Sequence, residues 1–138
     1  MGTNLGSTSK SQCESARPLR IAIAGLGLVG LRHAGAIRQV DGVELCAVAD
    51  PSADSRNRAA DEAVPHFDTL DELIAADRPD GIILATPTTL HAVQGRLCID
   101  ASIPVLIEKP LADNLAEGEA LVKHAEAANV AVMVGHHR

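Results

Sequence analysis

The sequence predicts an α/β fold in which a doubly wound parallel sheet of about six strands has helices on both faces. Short apolar runs rich in β-branched residues recur along the chain, and they lack the alternation of a half-exposed strand. Segments with a helical spacing of apolar residues separate these runs. Because parallel strands need long crossover connections, this repeated alternation favours a parallel sheet with right-handed crossovers.

Six segments are predicted as strands, with amphipathic helices between them. The strands are expected at Arg20–Ala24, Val43–Ala49, around His66–Phe67, and at Gly81–Ala85, Ile103–Ile107 and Val130–Val134. The helix faces expected to be buried are Ala34, Ile37 and Val40; Leu90, Val93, Leu97 and Ala101; and Leu115, Val122, Ala125 and Ala128. Ser52 is predicted to cap the second helix. A short helix marked by Leu70, Leu73 and Ile74 is expected to end at Arg78-Pro79-Asp80.

The composition argues against nucleic acid as a partner and against a membrane segment. The 138 residues carry a net charge of −6 and one aromatic side chain, Phe67, so basic faces and stacking platforms are lacking. No apolar run approaches the roughly 18 residues that span a bilayer. Cys13, Cys46 and Cys98 are widely spaced and odd in number, which favours reduced thiols and a cytoplasmic location. Residues 1–19 are mostly small and polar, and they are predicted to form a flexible leader without a secretory signal.

A glycine-rich segment, Gly25-Leu26-Gly27-Leu28-Val29-Gly30, lies between the first strand and the first helix. Gly25 permits a tight turn, Gly27 lets the backbone approach a diphosphate, and Gly30 allows close packing of helix on strand. The N–H groups of Leu28 and Val29 are expected to face the anion at the positive end of the helix dipole. A methyltransferase would also bind an adenosyl group here, but the third glycine favours a diphosphate. The segment therefore predicts a Rossmann-type dinucleotide site.

Asp50 follows the second strand, twenty residues after Gly30. A carboxylate at this point can accept hydrogen bonds from both hydroxyls of the adenosine ribose, and it repels a 2′-phosphate. NAD is therefore the expected cofactor. NADP stays possible, because Arg56 or Arg58 on the next helix could turn towards a phosphate. The structural alternative is that Asp50 only caps the turn before Pro51.

Two further segments end predicted strands at the same edge of the sheet, where ligands of open parallel sheets bind. One is Thr86-Pro87-Thr88-Thr89-Leu90-His91, and the other is Glu108-Lys109-Pro110. Together with the glycine segment and Asp50, they make the chain resemble the N-terminal domain of the Gfo/Idh/MocA oxidoreductases. The resemblance covers nearly everything after residue 19. It implies that residues 20–138 form a Rossmann domain that binds NAD(P) for hydride transfer on sugars, cyclitols and related polyols.

The resemblance also implies roles for individual residues. Lys109 is the expected catalytic residue beside the nicotinamide, where partial burial and a like charge would favour its neutral form. Glu108 would bind the nicotinamide ribose or orient Lys109. Thr86 and Pro87 would shape a turn against the cofactor. His91 is interpreted as a hydrogen-bonding residue at a helix start, with pocket lining as the alternative.

No metal is predicted, because the adjacent His136 and His137 would not point the same way. Members of the family carry a second, largely β-sheet domain that supplies substrate contacts, an acid–base Asp/His pair and the oligomer interface. The chain is therefore expected to be truncated and to form an oligomer only as part of a longer protein. Two alternatives stay open: a non-catalytic nucleotide-binding or redox-sensing module, and an NAD-dependent glycosidase of the same family.

Overall fold

Six parallel strands form one sheet in the computed structural model of the chain, which describes residues 16–136. The strands are β1 (Leu19–Ala24), β2 (Val43–Ala49), β3 (His66–Phe67), β4 (Gly81–Leu84), β5 (Val105–Glu108) and β6 (Val132–Gly135). Their order across the sheet is β3-β2-β1-β4-β5-β6. The chain thus moves outward from β1 to β3 and then returns to place β4 beside β1. The carboxyl ends of β1 and β4 mark the reversal of strand order, where a ligand crevice is expected.

Five helices connect the strands: α1 (Leu28–Ile37), α2 (Ala53–Asp61), α3 (Leu70–Ala76), α4 (Thr88–Asp100) and α5 (Leu115–Ala128). The side chains of Ser52, Thr69 and Asn114 cap α2, α3 and α5 by accepting hydrogen bonds from backbone N–H groups. The predicted cap at Ser52 is therefore confirmed. These caps satisfy backbone donors that would otherwise lack partners in the first turn.

Buried side chains lie on both faces of the sheet. The larger cluster joins α3, α4 and α5 to the strands and includes Leu73, Leu84 and Ile107. The smaller cluster contains Ile23, Ala34 and Ile37, beneath α1. Coverage on both faces explains why the strands lack polar alternation. The predicted doubly wound α/β fold is confirmed.

The buried faces predicted for the helices are partly wrong. In α4, Leu90 and Val93 are exposed, whereas His91, Gly95 and Cys98 are buried. A Cβ at Gly95 would lie 3.0 Å from Ile107 Cδ1 and 3.1 Å from Leu121 Cδ2. The helix packs so closely that Gly95 and Cys98 share its buried face with Ile99, and a search for large apolar residues overlooks these small residues.

In the first and last helices the predicted faces are partly confirmed, because Ala34, Ile37 and Ala125 are buried. Leu115 is 76% exposed and Val122 is also exposed, whereas Leu121 and Ala125 form the buried face of α5. Val40 lies beyond the end of α1 and is exposed. The observed strand boundaries are closer to the predicted ones than the helix faces are. β2 has the predicted bounds, and β5 begins two residues later than predicted.

Ion pairs anchor the chain where it enters β1. Arg17 donates two hydrogen bonds of 2.8 Å to the carboxylate of Asp80, and these bonds hold the pKa of Asp80 down at about 2. Arg20, in β1, pairs with Asp77. The predicted leader therefore contains an anchored residue at Arg17. Residues 1–15 of that leader lie outside the described part of the chain.

Cys46 and Cys98 are free and buried, and burial raises the pKa of the Cys98 thiol to about 12. Cys13 lies outside the described residues. In the part of the chain that the structure describes, no helix is long and apolar enough to cross a membrane.

Candidate functional site

The turn between β1 and α1 is built on backbone contacts that only glycine allows. Gly25 has a φ of +86°, and a Cβ there would lie 2.6 Å from the carbonyl oxygen of Ala85. A Cβ at Gly30 would overlap the carbonyl oxygen of Gly25 and lie 2.9 Å from its carbonyl carbon. The two glycines therefore bring the end of β1, the start of α1 and the residue after β4 into direct contact.

Gly27 has a different environment from these two glycines. A Cβ built there would meet nothing within 4 Å. Gly27 is the N-cap of α1, and no side chain of residues 16–136 caps this helix. The first N–H groups of α1, at Leu28 and Val29, therefore have no side-chain acceptor, in contrast to those of α2, α3 and α5. Such a helix start can bind an anionic oxygen.

Asp50 directly follows β2 and contacts the glycine turn. Its Oδ2 accepts a hydrogen bond of 2.7 Å from Leu26 N, and its Oδ1 accepts one of 2.8 Å from Ser52 N. Burial alone would raise the pKa of Asp50, but the bonds from Leu26 and Ser52 outweigh it, so the pKa is lowered. The structural role considered for Asp50 is thus present. An ionised carboxylate offers about four acceptor sites, which leaves capacity for ribose hydroxyls.

A cavity of about 610 Å³ opens at the carboxyl edge of the sheet. It brings together four of the predicted site residues, namely Gly25, Asp50, Thr86 and Pro87. Its apolar wall is formed by Leu70, Leu90, Val93 and Leu97. The apolar stripe of α4 that we predicted as core therefore lines this cavity instead. A volume of this size suits part of a cofactor.

A second, larger concavity of about 880 Å³ runs along α5 from Leu111 to Glu126. None of the predicted site residues lines it. Gly25 of the glycine turn and Asp50 both line the smaller cavity, and we therefore assign the candidate site there. The predicted residues Gly27, Leu28, Val29 and Gly30 follow Gly25 in the chain and are outside the lining of this cavity.

His91 joins two loops of the site from within the protein. Its side chain is buried, with the residue only 1% exposed. Its Nδ1 lies 2.8 Å from the carbonyl oxygen of Pro110, and its Nε2 lies 2.9 Å from that of Thr86. Thr86 also donates a hydrogen bond to Gln94 on α4 through its hydroxyl. These contacts favour the structural role for His91 over lining of the pocket.

Glu108 has a partner that the sequence did not indicate. Its Oε1 lies 2.7 Å from Nε2 of His33 on α1, and both side chains are mostly buried. The same oxygen would lie 2.9 Å from a Cβ at Gly135, so β6 also limits its position. The sequence predicts no role for His33 in the site. No pattern within one segment could reveal a pair that is 75 residues apart.

Lys109 lies in the loop after β5, at the open edge of the sheet. Its side chain is exposed, whereas partial burial was predicted. The exposure follows from its place after the last residue of β5, where the chain leaves the sheet. Within the described part of the chain, Lys109 forms no ion pair. The Lys109–Pro110 peptide bond is cis.

Among residues 16–136, no group of three His, Cys, Asp or Glu side chains could hold a metal ion. His137 lies outside the described residues.

The fold and the cavity define a dinucleotide-binding α/β domain. The chain belongs to the Gfo/Idh/MocA oxidoreductase family with an NAD-binding Rossmann fold, whose family model matches residues 19–136. The predicted family and cofactor class are confirmed.

Similar proteins carry dehydrogenase names. The chain is 38% identical over 122 residues to the 4-carboxy-2-hydroxymuconate-6-semialdehyde dehydrogenase of a Sphingobium species, covering 87% of this chain and 39% of that protein. It is 40% identical over 101 residues to inositol 2-dehydrogenase 4 of Saccharopolyspora erythraea, covering 70% of this chain and 30% of that protein. Neither relative is named as a sensor or as a glycosidase.

A solved structure has the same fold. The WlbA dehydrogenase from Bordetella pertussis, crystallised in complex with NADH and UDP-GlcNAcA, superposes with a TM-score of 0.82 at 30% identity. The match covers 86% of this chain and 37% of that one. The chain thus spans less than two-fifths of the length of these relatives.

Proposed function

We propose that the chain is the cofactor domain of a dehydrogenase that transfers hydride between NAD and a sugar, cyclitol or related polyol. One observation carries this proposal: Gly25, the first residue of the glycine turn, and Asp50 line the same cavity at the point where strand order reverses. An apolar wall, a fixed carboxylate and an uncapped helix start match the adenine, ribose and diphosphate of a dinucleotide.

Each part of the dinucleotide has a proposed partner. The diphosphate would accept hydrogen bonds from the N–H groups of Leu28 and Val29, with Gly27 leaving the approach open. The ribose hydroxyls would donate to Asp50, whose carboxylate Leu26 and Ser52 already hold in place. Because those backbone donors fix the carboxylate before binding, little further ordering is needed.

The residues after β4 and β5 would form the nicotinamide end of the site. NAD supplies a hydride acceptor when it is bound there. Thr86 and Pro87 would shape the wall, and the His33 contact would hold Glu108 beside Lys109. As a neutral amine, Lys109 would accept at Nζ the proton of a substrate hydroxyl while the carbon bearing that hydroxyl loses hydride to the nicotinamide. Its exposed position leaves it accessible to a substrate.

The substrate class rests on the relatives, several of which are named inositol 2-dehydrogenases. The acid–base pair, further substrate contacts and oligomer interface are proposed to lie in a second domain outside residues 1–138. A cytoplasmic location is supported by the free thiols of Cys46 and Cys98.

The preference for NAD is a separate part of the proposal. A relative from Bacillus subtilis, 32% identical over 120 residues, is named an NADP(+) scyllo-inositol 2-dehydrogenase, so both cofactors occur among similar proteins. Here the charged Asp50 would repel a 2′-phosphate while accepting hydrogen bonds from the free hydroxyls of NAD. NADP is accordingly expected to bind more weakly.

Calorimetric titration of the chain with NADH and NADPH tests both parts. We expect Asp50→Ala to weaken NADH binding at least about tenfold and NADPH binding much less, because one ribose partner is lost. Asp61→Ala removes an equal charge from the end of α2, outside the cavity, and serves as the matched control. Thermal unfolding monitors the fold of each variant. Absence of NADH binding to the wild-type chain would refute the proposed function, and equal losses for both cofactors would refute the role of Asp50.

A further inference from the structure

The cavity has an acidic rim formed by three side chains, those of Asp50, Asp68 and Asp71. Asp50 and Asp68 are neighbours because β2 pairs with β3 through Ala49 and Phe67, the residues directly before them. The bond from Asp50 N to the carbonyl oxygen of Phe67 continues this pairing. Adjacent paired strands lie about 4.8 Å apart, so the two carboxylates leave the sheet side by side.

His66 reinforces this arrangement. Its Nε2 lies 2.8 Å from the backbone oxygen of Asp50, and its Nδ1 lies 4.0 Å from Oδ1 of Asp68. The ring therefore contacts both acidic positions from β3. Asp68 is positioned relative to the proposed ribose site by this ring as well as by the strand pairing.

Asp68 also forms an ion pair with Arg56, whose guanidinium could otherwise bind the 2′-phosphate of NADP. Arg56 extends from the first half of α2, and its Nη2 donates a 2.7 Å hydrogen bond to Oδ1 of Asp68. An arginine near the ribose can bind a 2′-phosphate through two parallel hydrogen bonds. While Arg56 is paired with Asp68, this guanidinium is already engaged. Arg56 does not line the cavity, whereas Asp68 does.

We propose that Asp68 is a second specificity-determining residue of the cofactor site, which disfavours NADP by holding Arg56 in an ion pair beside the ribose. The inference rests on the proposed NAD site. Asp50 excludes the phosphate by its own charge, whereas Asp68 acts by withholding Arg56, the only arginine or lysine of the described residues that pairs with a carboxylate of the rim. Both side chains of the pair are about half exposed, so the pair is weak and the change in cofactor preference expected from its loss is modest.

The test compares dissociation constants for NADH and NADPH, measured by calorimetry on four forms of the chain. These are the wild type, Asp68→Asn, Asp68→Asn combined with Arg56→Gln, and Asp71→Asn. The last variant is the matched control, because Asp71 lines the same cavity but has no ion pair with any residue between 16 and 136. We expect Asp68→Asn to increase NADPH affinity relative to NADH about fivefold. The double variant should lose that gain, and Asp71→Asn should change the ratio less than about twofold.

Each other outcome overturns the inference. If Asp68→Asn leaves the ratio of NADPH affinity to NADH affinity unchanged, Asp68 does not keep Arg56 away from a bound 2′-phosphate. An equal gain in Asp71→Asn, or a gain that persists in the double variant, would show that loss of negative charge alone is responsible. If the wild-type chain binds neither cofactor, the proposed function fails first. If the wild-type chain binds NADH but Asp68→Asn leaves the affinity ratio unchanged, the inference about Asp68 fails and the proposed function stands.

Discussion

Substituting the glycines of the β1–α1 turn one at a time separates folding from cofactor binding. A methyl group at Gly30 overlaps the Gly25 carbonyl oxygen, which belongs to the backbone and cannot rotate away. A methyl group at Gly27 meets nothing within 4 Å, yet it occupies the space through which a diphosphate would approach α1. Gly30→Ala and Gly27→Ala therefore should fail in different ways.

The structure sets the size of each effect. Overpacking usually costs about 1–3 kcal/mol, and a clash with backbone should place Gly30→Ala at or above about 3 kcal/mol in free energy of unfolding. Gly27→Ala replaces glycine at a helix N-cap, which should cost about 1 kcal/mol or less. Its NADH affinity should nevertheless fall at least about tenfold, because the methyl group displaces the diphosphate.

Urea unfolding and calorimetric NADH titration measure the two quantities. Gly35→Ala is the matched control: Gly35 lies within α1, and a Cβ there meets nothing within 4 Å. Alanine at this helical position should stabilise the fold by up to about 1 kcal/mol and leave NADH binding unchanged. Wild-type NADH affinity in Gly27→Ala would refute the diphosphate site. Wild-type stability in Gly30→Ala would refute the close packing of α1 on β1.

Three further predictions concern catalysis, stability and pH. In a complete enzyme, Lys109→Ala should lower turnover about 100-fold or more, because the proposed proton acceptor is lost. The NADH dissociation constant should change less than about twofold. Unchanged turnover would show that Lys109 has no part in the mechanism. His91→Ala should lower the free energy of unfolding by about 2–4 kcal/mol, because a buried ring and its contacts to two loops are lost; urea unfolding that shows a loss under about 0.5 kcal/mol would contradict this role. The pKa of Asp50 is lower in the folded chain than its ordinary value, so its stabilising contribution is present above about pH 4 and lost as the pH falls further. Urea midpoints measured between about pH 7 and pH 3 should show this decrease, with a smaller one in Asp50→Ala.

The sequence predicted the features that depend on local patterns. The glycine spacing and the position of Asp50 after a buried strand follow from the chemistry of diphosphate and ribose binding. The apolar runs located the strands to within a few residues, because strands covered on both faces must be apolar throughout. The order of elements then required a parallel sheet, which brought these separate segments to one edge.

Features that depend on contacts between distant segments were not predictable in this way. The buried face of α4 combines Ile99 with small residues and the polar His91, and a search for large apolar residues misses most of such a face. The pairing of His33 with Glu108 and that of Arg56 with Asp68 arise only when separate elements meet in the folded chain. The stripe of Leu90, Val93 and Leu97 lines the cavity, and only Leu97 also packs against the core as predicted. A cavity wall and a core face have the same apolar period in a sequence.

The contact between His33 and Glu108 makes α1 a shared support for both ends of the site. The helix starts at the glycine turn, and one of its later residues touches the strand residue directly before Lys109. Any shift of α1 that accompanies occupation of its first turn would consequently reach the neighbour of the proposed proton acceptor through a single pair of side chains. A variant altered at His33 would remove this connection between the two ends without substituting any residue of the glycine turn or of Glu108-Lys109.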